Sequence, residues 1–105
     1  MDKPTLSFVI PAYNEAKLLP LCLRSIETEQ KRHPEYNIEV VVVNNASTDK
    51  TGEVARQFAN VIVVDEPRKG LTQARQSGYL AAHGDYIANI DADTILTKDW
   101  IQRAI

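Results

Sequence analysis

Glu39-Val40-Val41-Val42-Val43 runs directly into Asn44-Asn45-Ala46-Ser47-Thr48-Asp49. Consecutive valines predict a strand, because branching at Cβ stiffens the side chain and suits a pleated backbone. A strand with one wet face alternates apolar and polar residues. This one is apolar at every position from 40 to 43, the pattern of a parallel strand buried on both faces. The polar loop that follows then falls at the carboxyl end of the strand, where open α/β sheets bind ligands.

Residues 60–64, Asn-Val-Ile-Val-Val, repeat the two-sided pattern. Residues 6–10, Leu-Ser-Phe-Val-Ile, form a β-branched and aromatic run ended by Pro11, and residues 86–90 predict a further strand. Helical spacing fills the gaps. Leu19, Cys22, Leu23 and Ile26 fall at i, i+3, i+4 and i+7, with Pro20 tolerated in the first turn. Val54, Ala55 and Phe58 make a shorter stripe. Leu71, Ala74, Gly78, Ala81 and Ala82 make a third, with small residues that would bring the helix close to a sheet. Trp100, Ile101, Ala104 and Ile105 begin a fourth, with Thr97 as its expected N-cap. Residues 33–37 form a polar loop, and no repeat recurs at a fixed period. The order β-α-β-α-β-α-β-α predicts an α/β, Rossmann-like, mostly parallel sheet with helices on both faces and right-handed crossovers.

The chain of 105 residues suits one domain spanning 1–105, and its 44% hydrophobic and 25% charged content is ordinary for a globular protein. A net charge of −2 gives no electrostatic footprint for nucleic acid. The single cysteine, Cys22, excludes an internal disulfide and a cysteine-based zinc site; among leucines it is expected to be a reduced core thiol. The first residues lack a signal-peptide pattern and the run 40–43 is too short to span a bilayer, so the expected location is the cytoplasm. His33 and His83 stand beside Pro34 and Gly84 and are expected to be solvated loop residues. The absence of Gly-x-Ser-x-Gly, Walker-type and Gly-x-Gly-x-x-Gly motifs speaks against a serine hydrolase, a P-loop NTPase and a dinucleotide oxidoreductase.

The chemistry-bearing residues gather after the expected strands. Asp91-Ala92-Asp93 follows an apolar strand directly. If strand geometry continued, both carboxylates would point to one side, where a hard divalent cation would relieve their repulsion. Mg²⁺ in particular takes one or two carboxylates together with substrate phosphates. A simple turn, with Asp93 or Thr94 making a local cap, explains the same residues, and both readings stand at this point. Thr48 or Asp49 is expected to cap the second helix, with Gly52 loosening its first turn, which leaves Asn44 and Asn45 free to read a heterocycle. Arg68, Lys69 and Arg75 are the cations nearest a phosphate pocket, although Arg75 could equally lay its stem along an apolar surface. Gly70 is expected at a position of positive φ or close approach.

Four segments together resemble the N-terminal half of a family 2 glycosyltransferase with the GT-A fold. They are residues 8–15 (Phe-Val-Ile-Pro-Ala-Tyr-Asn-Glu), 41–51 (Val-Val-Val-Asn-Asn-Ala-Ser-Thr-Asp-Lys-Thr), 70–78 (Gly-Leu-Thr-Gln-Ala-Arg-Gln-Ser-Gly) and 84–93 (Gly-Asp-Tyr-Ile-Ala-Asn-Ile-Asp-Ala-Asp). The resemblance implies a nucleotide-diphospho-sugar donor of the UDP or GDP type, with Pro11, Ala12, Tyr13 and Glu15 against the nucleobase and ribose. It places Asn44 where the family usually has an aspartate that hydrogen-bonds the base, and Arg75 near the nucleotide. It implies Asp91 on the ribose side and Asp93 on Mg²⁺ or Mn²⁺ bound to the diphosphate. It also implies inverting transfer to an acceptor hydroxyl, by a base that lies well beyond the D-x-D motif. The sequence stops at Ile105, twelve residues after Asp93, so that base is expected outside this chain.

Two functional readings follow. In one the chain is the donor-binding half of a glycosyltransferase; in the other it is a stand-alone, non-catalytic nucleotide-binding or interaction module. The paired aspartates favour the first. A nucleotidyltransferase would want a Gly-rich loop with a lysine after the first strand, which Pro11-Ala12-Tyr13-Asn14-Glu15 does not supply. No membrane segment is expected. A sheet ending at the fourth strand would expose unpaired N–H and C=O groups, so self-association through that edge or the last helix is expected.

Overall fold

The computed structural model describes residues 3–104. Its elements are β1 (Thr5–Ala12), α1 (Leu19–Arg32), β2 (Asn37–Asn45), α2 (Thr51–Arg56), β3 (Val61–Glu66), α3 (Leu71–Ala81), β4 (Tyr86–Asn89) and α4 (Trp100–Ala104). The four strands form one parallel sheet in the order β3-β2-β1-β4. The chain steps outward from β1 to β3, then returns to place β4 on the other side of β1. That reversal puts α3 on the opposite face from α1 and α2, because parallel crossovers keep one hand.

Side-chain alternation sorts the core onto the two faces. Leu6, Phe8, Ile10 and Ala12 of β1, with Val40 and Val42 of β2, pack with Leu19, Cys22, Leu23 and Ile26 of α1, Ala55 of α2 and Ile101 of α4. Phe8 meets Trp100 with ring centroids 5.3 Å apart. On the other face Val41 and Val43 pack against Ala74 of α3. Each fully buried valine is worth roughly 1.5–3 kcal/mol over its exposed state, so the run 40–43 anchors both layers. Close approach of α3 depends on Gly78: a Cβ there would collide with Val9 Cγ1 and lie 3.0 Å from Val43 Cγ2.

Several expectations shift. The strand at 61–66 is an edge strand, so Ile62 is exposed and its neighbours are only half-buried, not enclosed on both faces. Pro11 does not end β1; it lies within it, opposite Val43. It is tolerated because its side of β1 faces β4, whose pairing has already stopped at Asn89 opposite Val9. Leu71 is exposed, and only Ala74 and Gly78 of the α3 stripe are fully buried. Phe58 lies beyond α2 and is half-buried, as is Val54. The residue before α4 is Asp99, at φ 67°, and Thr97 meets the helix through its backbone carbonyl, which accepts the Trp100 N–H. Ile105 lies outside the described residues. No helix among the described residues is long and apolar enough to cross a membrane.

Candidate functional site

The carboxyl ends of β1 and β2 are locked by a web of short polar contacts. Asn14, at φ 53°, receives the Thr48 N–H on its Oδ1 at 2.8 Å and the Asp49 N–H at 3.3 Å. In return the Asn14 N–H donates to Ser47 Oγ (3.0 Å), the Glu15 N–H to Thr51 Oγ1 (2.9 Å) and the Ala16 N–H to Asp49 Oδ2 (3.3 Å). Asp49 also accepts the Thr51 N–H at 2.9 Å and the Thr51 hydroxyl, bracing the first residue of α2 from one position before its N-cap, which is Lys50 and makes no side-chain cap. The Thr51 hydroxyl, followed by backbone N–H groups, holds the Asp49 carboxyl below its ordinary pKa. Gly52 is buried in the first turn of α2, where a Cβ would sit 2.7 Å from Asn44 Nδ2 and 2.9 Å from Arg56 Nη1.

Alternation sends Asn44 and Asn45 to opposite faces. Asn45 is buried and fully engaged. Its Nδ2 donates to the carbonyls of Glu66 (3.1 Å) and Arg68 (2.8 Å), and its Oδ1 accepts the Gly70 N–H (3.0 Å). It is therefore not the free reader expected from sequence. Asn44 turns toward α2, donates to Asp65 Oδ1 at 3.1 Å and keeps its own Oδ1 buried without a partner among the described residues. Asp65 in turn holds Arg56 at 2.7 Å.

Asn45 fixes the β3–α3 loop, and the loop closes a cavity of about 200 Å³ lined by Pro11, Ala12, Tyr13, Asn45, Lys69, Gly70, Leu71 and Ala74. The cavity sits at the carboxyl ends of β1 and β2, beside the first turn of α3, and its lining includes an aromatic ring in contact with a cation. Lys69 Nζ lies 4.5 Å from the centroid of the Tyr13 ring. Gly70, at φ 143°, makes the bend that a side chain would strain. Arg68 is not available to the cavity. Its guanidinium holds Glu66 at 2.8 Å, and with the Ser77 hydroxyl and its own N–H it lowers the Glu66 carboxyl to about 2. A groove of about 770 Å³ opens at the other end of the sheet, by Asn37, Ile38, Asn60 and Val61, away from all four strand-end loops.

Of the residues expected from sequence, the structure brings Pro11, Ala12 and Tyr13 together on this cavity. Glu15, Asn44, Arg75, Asp91 and Asp93 are not among its lining residues. Arg75 is exposed on the first half of α3. Asp91 and Asp93 are exposed on a turn after β4, closed by the Thr94 N–H to the Asp91 carbonyl at 3.0 Å, so strand geometry does not continue through them. Burial still alternates: Ile90 and Ala92 point into the core while both carboxylates stay outside. The pair offers hard oxygen donors, which fits a divalent cation completed by phosphate and water. Among the described residues no three His, Cys, Asp or Glu gather into a cluster that could hold a metal by itself.

Sequence reasoning missed Asn14 and Glu29. The positive φ of Asn14 was not visible beforehand, although asparagine is a residue that tolerates it. Glu29 extends the α1 stripe one step past Ile26 and is 1% exposed, a burial that its charge disguised. His83 is exposed as expected, and its ring meets Glu39 at 2.9 Å. His33 departs from expectation: it is half-buried against Glu29 and Glu35. Cys22 is a buried thiol pushed up to about 12 by burial and then by the charge of Asp93, so it is inert.

The pattern of Glycosyl transferase family 2 matches residues 7–105. The chain belongs to this family. Among curated relatives, this family 2 chain is 33% identical to Glycosyltransferase AglE of Haloferax volcanii, over 97% of the chain and 34% of that protein. It is 36% identical to the Homo sapiens dolichyl-phosphate beta-glucosyltransferase, over 88% of the chain and 32% of that protein. Among solved structures, S. aureus TarS 1-349 in complex with UDP superposes with a TM-score of 0.82 at 26% identity, covering 95% of the chain and 30% of that structure. The mannosyltransferase PcManGT from Pyrobaculum calidifontis, in complex with GDP-Man and Mn²⁺, gives 0.81 at 29% identity, covering 94% and 30%. The family 2 chain therefore has the GT-A fold and spans about a third of the length of these relatives.

Proposed function

We propose that this chain is the donor-binding half of a family 2 glycosyltransferase and takes a nucleotide-diphospho-sugar of the UDP or GDP type. One observation carries the reading: the cavity at the carboxyl ends of β1 and β2 is lined by Pro11, Ala12, Tyr13, Lys69 and Gly70, with Lys69 Nζ set over the Tyr13 ring. An aromatic face offers stacking to a base, which is worth about 1–3 kcal/mol. The cation and the first turn of α3 favour an anionic group beside it. The structural neighbours that hold UDP, and GDP-Man with Mn²⁺, support the same ligand class. Glu15, Asn44 and Arg75 are assigned to the nucleotide by resemblance to the family, with Asn44 keeping an acceptor oxygen unpaired.

Asp91 and Asp93 would hold Mg²⁺ or Mn²⁺, which when bound supplies charge stabilisation to the departing diphosphate. The chain's own contribution is to keep both carboxylates outward by burying Ile90 and Ala92. Inverting transfer to an acceptor hydroxyl then requires a base and an acceptor site outside these residues. Among the described residues β4 pairs with β1 alone, which supports a second property, self-association by edge pairing.

Titration of UDP, GDP and their sugars into the chain tests the reading. Tyr13→Ala is expected to weaken nucleotide binding about tenfold. Absence of binding at millimolar nucleotide would leave the interaction-module reading in its place. Sedimentation as a monomer at high concentration would remove the self-association.

A further inference from the structure

The face of α1 that packs on the core also carries a row of polar groups aimed at the segment after β4. Cys22, Ser25 and Glu29 lie at i, i+3 and i+7, one above another on the helix. Cys22 Sγ lies 3.9 Å from the Asp91 carbonyl. The Ser25 hydroxyl donates to the Cys22 carbonyl at 2.7 Å and accepts the Leu96 N–H at 2.9 Å. Glu29 Oε2 accepts the Ile101 N–H at 3.3 Å, at the start of α4, while its Oε1 receives Arg32 at 3.3 Å. A buried carboxylate is costly unless its oxygens are used, and here both are.

The segment these groups hold has little regular structure of its own. Pairing of β4 ends at Asn89, and the next helix begins only at Trp100. Between them stand Asp91 and Asp93. The backbone is thus tied to α1 at Asp91, Leu96 and Ile101, on the turn itself and beyond it. We propose that Ser25 and Glu29 are positioning residues for the Asp91–Asp93 metal site, acting through the backbone of the segment 91–101. This rests on the donor-binding reading above. Partners bonded directly to a metal's ligands change its affinity by about 10- to 100-fold when lost, and ties further along the backbone, at Leu96 and Ile101, are expected at the low end of that range.

The test is Mn²⁺ titration into the nucleotide-loaded chain, beside nucleotide titration without metal and thermal melting. Ser25→Ala and Glu29→Leu, which remove the acceptors of the Leu96 and Ile101 N–H groups, are each expected to weaken Mn²⁺ about tenfold and leave metal-free nucleotide affinity unchanged. Ser25→Thr, which keeps the hydroxyl, and Glu29→Gln, which keeps an acceptor, are expected to stay near wild type. Should Ser25→Ala fail to fold, the equally shaped pair Ser25→Thr and Ser25→Val makes the same comparison. A variant that lowers the melting temperature but keeps Mn²⁺ affinity, or that loses metal-free nucleotide affinity in equal proportion, overturns the positioning role. Wild-type nucleotide binding indifferent to Mn²⁺ overturns the metal assignment itself and this inference with it.

Discussion

Gly70 donates its backbone N–H to Asn45 Oδ1 at 3.0 Å. With the two carbonyls held by Asn45 Nδ2, this bond ties the end of β2 to the loop that carries Lys69 over Tyr13. The cavity wall therefore depends on a side chain whose amide is engaged by three backbone groups. Asn45→Ala would leave two carbonyls and one N–H without partners, each costing about 1–3 kcal/mol when buried. The expected loss, read by urea unfolding, is at least about 3 kcal/mol, accompanied by weaker nucleotide binding as the loop loosens.

Gly78 sets the distance between α3 and the sheet. A methyl group there meets Val9 and Val43, both fully buried, with no flexible end to give way. Gly78→Ala gains helix propensity of about 1 kcal/mol and is overpacked by about 1–3 kcal/mol. The net expected outcome is a lower melting temperature, whereas the same substitution in an exposed helix would raise it.

Glu66 makes stability depend on acid. Its folded pKa is depressed from 4.5 to about 2, first by the Arg68 guanidinium, then by the Ser77 hydroxyl and the Arg68 N–H. A depressed carboxylate stabilises the fold above its unfolded pKa and loses that contribution as pH falls through the folded value. Glu66→Gln should therefore melt below wild type at neutral pH. The gap should narrow between pH 4.5 and pH 2, the window set by those two values. Melting curves of both proteins across that range read the effect directly.

The fold was legible because burial on both sides of a parallel strand leaves a mark that polar substitution cannot imitate. Val40 to Val43 carried that mark, and all four are buried. Residues 60–64 carried it too, yet β3 lies at an edge; apolar composition alone does not say which strands are central. The polar strand-end loops were legible, and those after β1, β2 and β3 supply lining to the cavity, whereas the loop after β4 does not. The division of labour among their residues was not legible. Asn44 and Asn45 look equivalent in sequence, but alternation sends one to α2 and the other to the cavity, and Asn45 is consumed by backbone groups 21 to 25 residues away. Arg68 and Lys69 are adjacent cations, and only the fold shows that Arg68 is spent on Glu66 while Lys69 faces Tyr13. Such partnerships depend on non-local pairing, which local spacing does not encode.

The central claim is that a nucleotide diphosphate and a divalent cation bind this chain together, with Asp93 holding the metal. The most direct measurement is the affinity for UDP and GDP with and without Mn²⁺, repeated in Asp93→Ala. The account predicts tighter nucleotide binding with Mn²⁺, and loss of that gain in Asp93→Ala with the melting temperature kept, because Asp93 is exposed and bonds nothing in the core. Nucleotide affinity that ignores Mn²⁺, or a gain that survives intact in Asp93→Ala, would contradict it.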